Sequence, residues 1–168
     1  KMRTGGIVAA SVPGIVTRAG LTAVSPEIHL AIPLSPDPEE PGTLSVVRGI
    51  EPEAFLVHDS VRVTTGRAPR AGQSELAAGR LAALAMGFSP PESIMGHEFF
   101  MDGEPYEVVG LLAADGGVVE GEFWAALTDL QITAQRDSLS CVVVMLETPD
   151  SSDIELFAAS RLDLELAA

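Results

Sequence analysis

Fifteen residues near the middle of the chain, Glu98 to Leu112, constrain the fold more than any others. Glu98–Met101 and Pro105–Leu112 both read as extended segments, and Asp102-Gly103 joins them. An Asp-Gly pair accepts the positive φ values of a tight two-residue turn, so this stretch predicts a β-hairpin and an antiparallel sheet. The surrounding pattern agrees. Short extended runs and short helical runs follow one another without a regular βαβ alternation. That order predicts an α+β fold with mixed sheets and short helices.

The strands are legible by their period of two. Ala23 to Leu34 reads as extended, with Glu27, His29 and Ala31 on one face and Ile28, Leu30 and Ile32 on the other. Ser35 to Gly42 holds three Pro and three acids and predicts a loop. Leu44–Ile50 predicts a strand, Pro52 opens a short helix over Glu53–Val57, and Val61–Thr65 alternates as a half-buried strand ended by Gly66. Phe123–Leu127 predicts a short strand. Thr128 with Gln131 fits a capping box, for a helix running to about Arg136. Ser140–Glu147 predicts a buried strand. Ser152 or Asp153 opens a last helix through Ser160, and Asp163–Leu166 fits a final strand. The opening residues give weak signals, with a turn at Val12–Ile15.

Glu75 to Met86 supports two readings. Propensity favours one helix, with Gly79 costing about 1 kcal/mol against Ala in its middle. The rival is a strand over Glu75–Ala78, a turn at Gly79 and a helix over Arg80–Met86. Gly87 stops the helix in either case.

Composition bounds what the chain can do. With 168 residues it fits one domain, or one domain with two lobes. Aromatics are only 5% of residues, so the core must be built from Val, Leu, Ile and Ala. Lys and Arg number 10 against 24 Asp and Glu, a formal charge of -14, which argues against a nucleic-acid partner. No signal peptide is visible, and no apolar run nears the roughly 18 residues a spanning helix needs. The chain opens on Lys1 rather than Met, so it is expected to be a fragment or processed form of a longer protein.

No local catalytic motif stands out. The histidines, His29, His58 and His97, are far apart in sequence and none has a metal-ligand spacing. The glycines at 110, 116 and 117 do not make a phosphate-binding loop, and there is no nucleophile elbow. Glu120-Gly121-Glu122 reads as a solvated turn, and Trp124 as a core residue. Phe99, Phe100 and Tyr106 read as cover for the sheet. The single cysteine, Cys141, lies in an apolar run and reads as a small buried side chain. The expectation is no catalytic residue, no cofactor and no metal.

Taken in order, several stretches carry a resemblance: "VVRGIEPEAF" (46–55), "VRVTTGRAPRAGQSELAAGRLAALAMGF" (61–88), "GEPYEVVGLLAADGG" (103–117), "EFWAALTDLQ" (122–131) and the apolar strand 141–146. The series resembles the extracytoplasmic core domain of MacB-like ABC transporter permeases, within the FtsX-like permease superfamily. It departs from that pattern where Leu76-Ala77-Ala78 replaces β-branched residues, and in a longer, Pro-rich stretch at Phe88–Glu92.

The resemblance implies one extracytoplasmic domain over 1–168. A porter-like lobe (about 5–34 with 115–168) would carry a smaller β-rich inserted lobe (about 44–112). Its function would be mechanical, coupling motion driven by a cytoplasmic ATPase subunit to substrate export or release. The expected partners are the protein's own transmembrane helices, that ATPase, a second permease copy and, as a candidate, a periplasmic adaptor. Gly49, Gly66, Arg67, Gly79 and Gly110 are the structural motif positions, with Arg67 expected to pin its loop on carbonyls or an acid. The alternatives are a free-standing acidic binding module and, less favoured by the motifs, a hydrolase assembled from distant residues around a buried carboxylate pair.

Overall fold

The computed structural model describes residues 3–161 together with Glu165 and Ala167. The strand expected over 163–166 therefore lies, apart from Glu165, outside the described residues. In chain order the elements are α1 (Arg3–Ser11), β1 (Thr17–Arg18), β2 (Leu21–Thr22), β3 (Val24–Ser35), β4 (Thr43–Ile50) and α2 (Ala54–Val57). Next come β5 (Arg62–Gly66), β6 (Glu75–Gly79), α3 (Arg80–Ala85), a 3-10 turn (Pro91–Ile94), β7 (Glu98–Met101) and β8 (Glu104–Ala113). A second 3-10 turn (Val118–Gly121), β9 (Glu122–Ala126), α4 (Leu127–Thr133), β10 (Cys141–Val144) and α5 (Ser152–Ala159) complete the order.

Apart from the small β1–β2 ribbon, the strands form one mixed sheet in the order β10-β3-β4-β9-β6-β8-β5, and β7 pairs with both β8 and β3. The second pairing, Leu34 with Met101 and Ser35 with Phe100, closes β3-β4-β9-β6-β8-β7 into a ring of six strands. β9 runs parallel to β4 and antiparallel to β6. The ring thus draws strands from both ranges expected to form separate lobes, with β9 between β4 and β6.

Alternation fills the ring. Ile28 and Leu34 on β3, Val47 on β4, Leu76 and Ala78 on β6, Phe99 and Met101 on β7, Tyr106 and Val108 on β8, and Phe123 and Ala125 on β9 form one buried cluster. Ala82 and Ala83 of α3 and Leu127 and Leu130 of α4 complete it. Aliphatics make up most of this cluster, as the aromatic-poor composition requires.

β6 decides the ambiguous segment in favour of the strand. Ala77 lies opposite Trp124, and Ala78 opposite Phe123. Every residue of β6 is buried, and the small side chains make room for the large rings of β9. An Ala-rich run has high helix propensity, but burial on both faces overrides that weak local preference.

Three other expectations need correction. The capping box does not form: Ala126 is the N-cap of α4 with no side-chain cap. Thr128 Oγ1 instead donates to Asp129 Oδ1 at 3.3 Å, and Gln131 Nε2 to the Asp137 carbonyl at 3.4 Å. The helix ends at Thr133, earlier than expected. The strand expected over 140–147 spans only Cys141–Val144 and is half-buried, because among the described residues β10 pairs with β3 alone. The opening residues form a helix despite Gly5 and Gly6. Val8 and Val12, one turn apart, pack there into a second cluster with Ile15, Ala23 and Val24. Ile154 and Phe157 of α5 pack against that same cluster, so both ends of the described chain converge on it.

Candidate functional site

The outer face of the ring carries a belt of charge that the strand register assembles. Cys141 pairs with Glu27, His29 with Arg48, and Arg48 with Trp124. Residues directly opposite on neighbouring strands share a face. Cys141 on β10, Glu27 and His29 on β3, Arg48 on β4, and Glu122 and Trp124 on β9 therefore line up on one side. His58, just beyond α2, reaches in from above.

Glu27 is the centre. Its side chain is fully buried, and its carboxylate accepts four hydrogen bonds. Ser25 Oγ donates at 2.9 Å and His58 Nε2 at 2.7 Å to Oε1; Arg48 Nη1 at 2.7 Å and His29 Nε2 at 3.0 Å to Oε2. A carboxylate has about four lone-pair sites, and all are filled. Burial alone would push the Glu27 carboxyl up. The bonds from His29 and His58, with the charges of His58 and Arg48, hold it instead far below the usual carboxylate range.

Arg48 spans two acids. Its Nε and Nη2 donate to Glu122 at 2.8 Å each, a bidentate pair, while Nη1 serves Glu27. Its guanidinium carbon lies 5.9 Å from the centre of the Trp124 ring. Trp124 Nε1 donates to Glu122 at 3.2 Å. Burial opposes ionisation of Glu122, but Arg48 holds its carboxyl low. His29 is the open end of the belt, with 38% of its side chain exposed. The Cys141 sulfur, 3.9 Å away, and the Glu27 carboxylate raise its pKa to about 9, against burial and Arg48.

This belt corrects three expectations. Two of the histidines, distant in sequence, meet on one carboxylate; only His97 stands elsewhere, edge-on to Phe88. Glu122 is buried in an ion pair rather than solvated, and Glu120 accepts from the Ala114 amide. Cys141 is half-buried beside His29 rather than enclosed in the core. The ligand-type atoms of Glu27, His29 and Cys141 all lie within 4.8 Å of one another. Trp124 is fully buried, packed on Phe55 and His58.

The motif positions sit apart from the belt. Arg67 donates to both oxygens of Glu75, at 2.6 Å for Nη1 to Oε2, and to the Ala68 carbonyl at 3.2 Å. Glu75 also accepts from the Arg70 amide, and the Arg67 guanidinium lowers its pKa. Gly66 has φ +71°, and a Cβ there would lie 2.1 Å from the Val109 carbonyl oxygen. Its partner Gly110 faces the Arg67 carbonyl at the same distance, so the two glycines let the chain cross β8 closely. Gly79 abuts the Val119 and Glu120 carbonyls, and Gly49 the Leu127–Leu130 side of α4. Sequence inspection missed Asp129. Its carboxylate accepts from the amides of Gly72 (2.7 Å), Gln73 (3.2 Å) and Ser74 (3.0 Å), tying that loop to α4.

Two surface cavities lie elsewhere. One, of about 310 Å³, is bounded by the 35–42 loop and Gly103. The other, of about 500 Å³, is bounded by Ser74, Tyr106, Asp129 and Thr133. Neither reaches the buried carboxylate pair of Glu27 and Glu122. Among the described residues, no helix is long and apolar enough to cross a membrane.

A six-stranded ring with peripheral helices defines an α+β domain with a mixed sheet, and solved structures share it. The periplasmic region of MacB from Actinobacillus actinomycetemcomitans superposes with a TM-score of 0.70 at 14% identity, covering 95% of this chain and 73% of that one. The extracellular domain of the noncanonic ABC-type transporter YknZ from Gram-positive bacteria gives 0.68 at 19% identity, over 94% and 77%. A domain of a permease protein from Porphyromonas gingivalis gives 0.62 at 9%, over 93% and 67%. The chain has the fold of the MacB periplasmic region. No family model matches the sequence, and no curated protein matches it.

Proposed function

We propose that this chain is the extracytoplasmic domain of an ABC transporter permease subunit. It couples ATP-driven movement of membrane helices to export or release of a substrate outside the membrane. The observation that carries this reading is the superposition on the MacB periplasmic region over 95% of the chain. The convergence of α1 and α5 on one apolar cluster supports it, because a domain inserted between two membrane helices must receive and return the chain at one place. The partners are those membrane helices, a cytoplasmic ATPase and a second permease copy, with an adaptor protein as a further candidate.

The domain itself does no chemistry. In support, the lone-pair sites of Glu27 are taken up by Ser25, His58, Arg48 and His29, and neither of the two cavities described above is lined by Glu27 or Glu122. A general base needs a free lone pair within reach of its substrate.

The test uses the intact parent protein in its own cells, with an epitope in the exposed loop 36–41. Added protease should remove the epitope from spheroplasts while a cytoplasmic marker survives. In proteoliposomes with the ATPase, replacing residues 3–159 by a short Gly-Ser linker should abolish transport yet leave ATP hydrolysis. An epitope protected in spheroplasts, or a parent protein that fractionates without membrane, overturns the reading in favour of a free-standing binding module.

A further inference from the structure

We propose that His29, Cys141 and Glu27 form a binding site for a borderline divalent cation of the Zn²⁺ type at the open end of the charged belt. The inference is independent of the transporter reading. Three different donor types meet there: His29 Nε2, Cys141 Sγ and a Glu27 carboxylate oxygen, all within 4.8 Å of one another. The cation would take the place of the proton that His29 Nε2 now donates to Glu27 Oε2, freeing one lone pair on each atom. His29 Nε2 is 3.0 Å from Glu27 Oε2 and 3.9 Å from Cys141 Sγ. Tetrahedral Zn²⁺, with bonds of about 2.0–2.3 Å, separates its ligand atoms by roughly 3.3–3.6 Å. The two spacings from His29 Nε2 bracket that range, and with all three donors within 4.8 Å of one another, shifts of about 1 Å would bring them to the distances of a tetrahedral site.

The backbone holds these donors in place. Cys141 and Glu27 are opposite each other on the β10–β3 ladder, and His29 is the next residue on the same face of β3. Ser140 Oγ accepts the His29 amide at 2.9 Å, fixing the strand beside the ring. Behind the site, Ser25 and His58 orient the Glu27 carboxylate, as outer partners orient metal ligands generally. The bidentate Glu122 neutralises Arg48, so a cation would face the charge of Glu27 and of a Cys141 thiolate. His29 is partly exposed, which gives the ion an entry path and leaves a fourth position for water. Thiolate and imidazole donors select Zn²⁺ over Mg²⁺ or Ca²⁺, which take oxygen ligands.

The test is a Co²⁺ titration of the reduced 168-residue chain, followed by Zn²⁺ competition. One equivalent of Co²⁺ should give a thiolate-to-cobalt charge-transfer band in the near ultraviolet, which Zn²⁺ then removes. Cys141→Ser should abolish the band. His29→Gln should weaken Co²⁺ binding at least tenfold, while His97→Gln, remote from the site, should leave it unchanged. Far-ultraviolet circular dichroism of each variant checks that the fold is kept. Zn²⁺ should raise the melting temperature of the native chain but not of the Cys141→Ser variant. A saturating Co²⁺ titration with no charge-transfer band, or equal Zn²⁺ affinity in the Cys141→Ser chain, overturns the proposal.

Discussion

Replacing Arg48 by Met tests the belt most directly. Arg48 supplies three of the hydrogen bonds received by two buried acids, and its side chain is only 8% exposed. Met keeps much of the volume and the packing on Trp124 but removes the charge. Breaking a buried ion pair by removing one partner costs about 3–5 kcal/mol. At about 2–4 °C per kcal/mol for a chain of this size, that is roughly 6–20 °C of melting temperature.

The sign of the pH dependence should also change. In the native chain the Glu122 carboxyl is held below its usual 4.5, so its contribution is present above that value and is lost as pH falls through the folded value. Without Arg48, burial is the largest remaining influence and raises that carboxyl. A raised folded value gives stability below the unfolded one that is lost as pH rises. Urea unfolding from about pH 4 to about pH 7, the range where a free Glu ionises, should therefore show Glu122 stabilising the native chain with rising pH and destabilising Arg48→Met. Adding Glu122→Gln to Arg48→Met should recover at least about 0.5 kcal/mol, since the two sites share one network. An Arg48→Met chain within about 1 kcal/mol of the native one, with no change in pH slope, would refute the reasoning.

Other perturbations have equally definite outcomes. Arg67→Ala should lower stability by more than about 0.5 kcal/mol, the scale of neutral surface changes; an unchanged melting temperature would remove its role in pinning the 67–75 loop. Gly66→Ala forces a Cβ onto the Val109 carbonyl at positive φ, and chemical denaturation should show a loss of more than about 1 kcal/mol. Asp129→Ala orphans three amides, for about 1–3 kcal/mol; hydrogen exchange at Gly72, Gln73 and Ser74 should speed up while the β4 and β9 amides stay protected.

What the sequence disclosed follows from the range of each interaction. The β7–β8 hairpin was legible because Asp102-Gly103 sets its own turn, and β3 because its alternation persists over many residues. The helix α1 was not, since it depends on Val8 and Val12 meeting Ala23 and Val24. The charged belt was invisible for a similar reason. Glu27, Arg48, His58 and Glu122 converge only once β3, β4 and β9 are aligned, and no one-dimensional spacing records that register. Glu27 and His29 did appear on one strand face together. Polar residues alternating with Ile28, Leu30 and Ile32 are the signature of an exposed face, so nothing marked this one as covered by α2.

The ring also dictates an order of assembly. All its pairings except those of β9 are available once residue 113 has been made. β9 must then enter between β4 and β6, making one parallel and one antiparallel ladder. Until it does, the facing edges of β4 and β6 stay unpaired, Trp124 has no socket and Arg48 lacks one of its two acids. Non-local pairings of this kind slow folding. A chain emerging from the ribosome would hold an open, sticky seam until residues 122–126 arrive, and release of that strand is the step at which a chaperone or a premature stop would decide its fate.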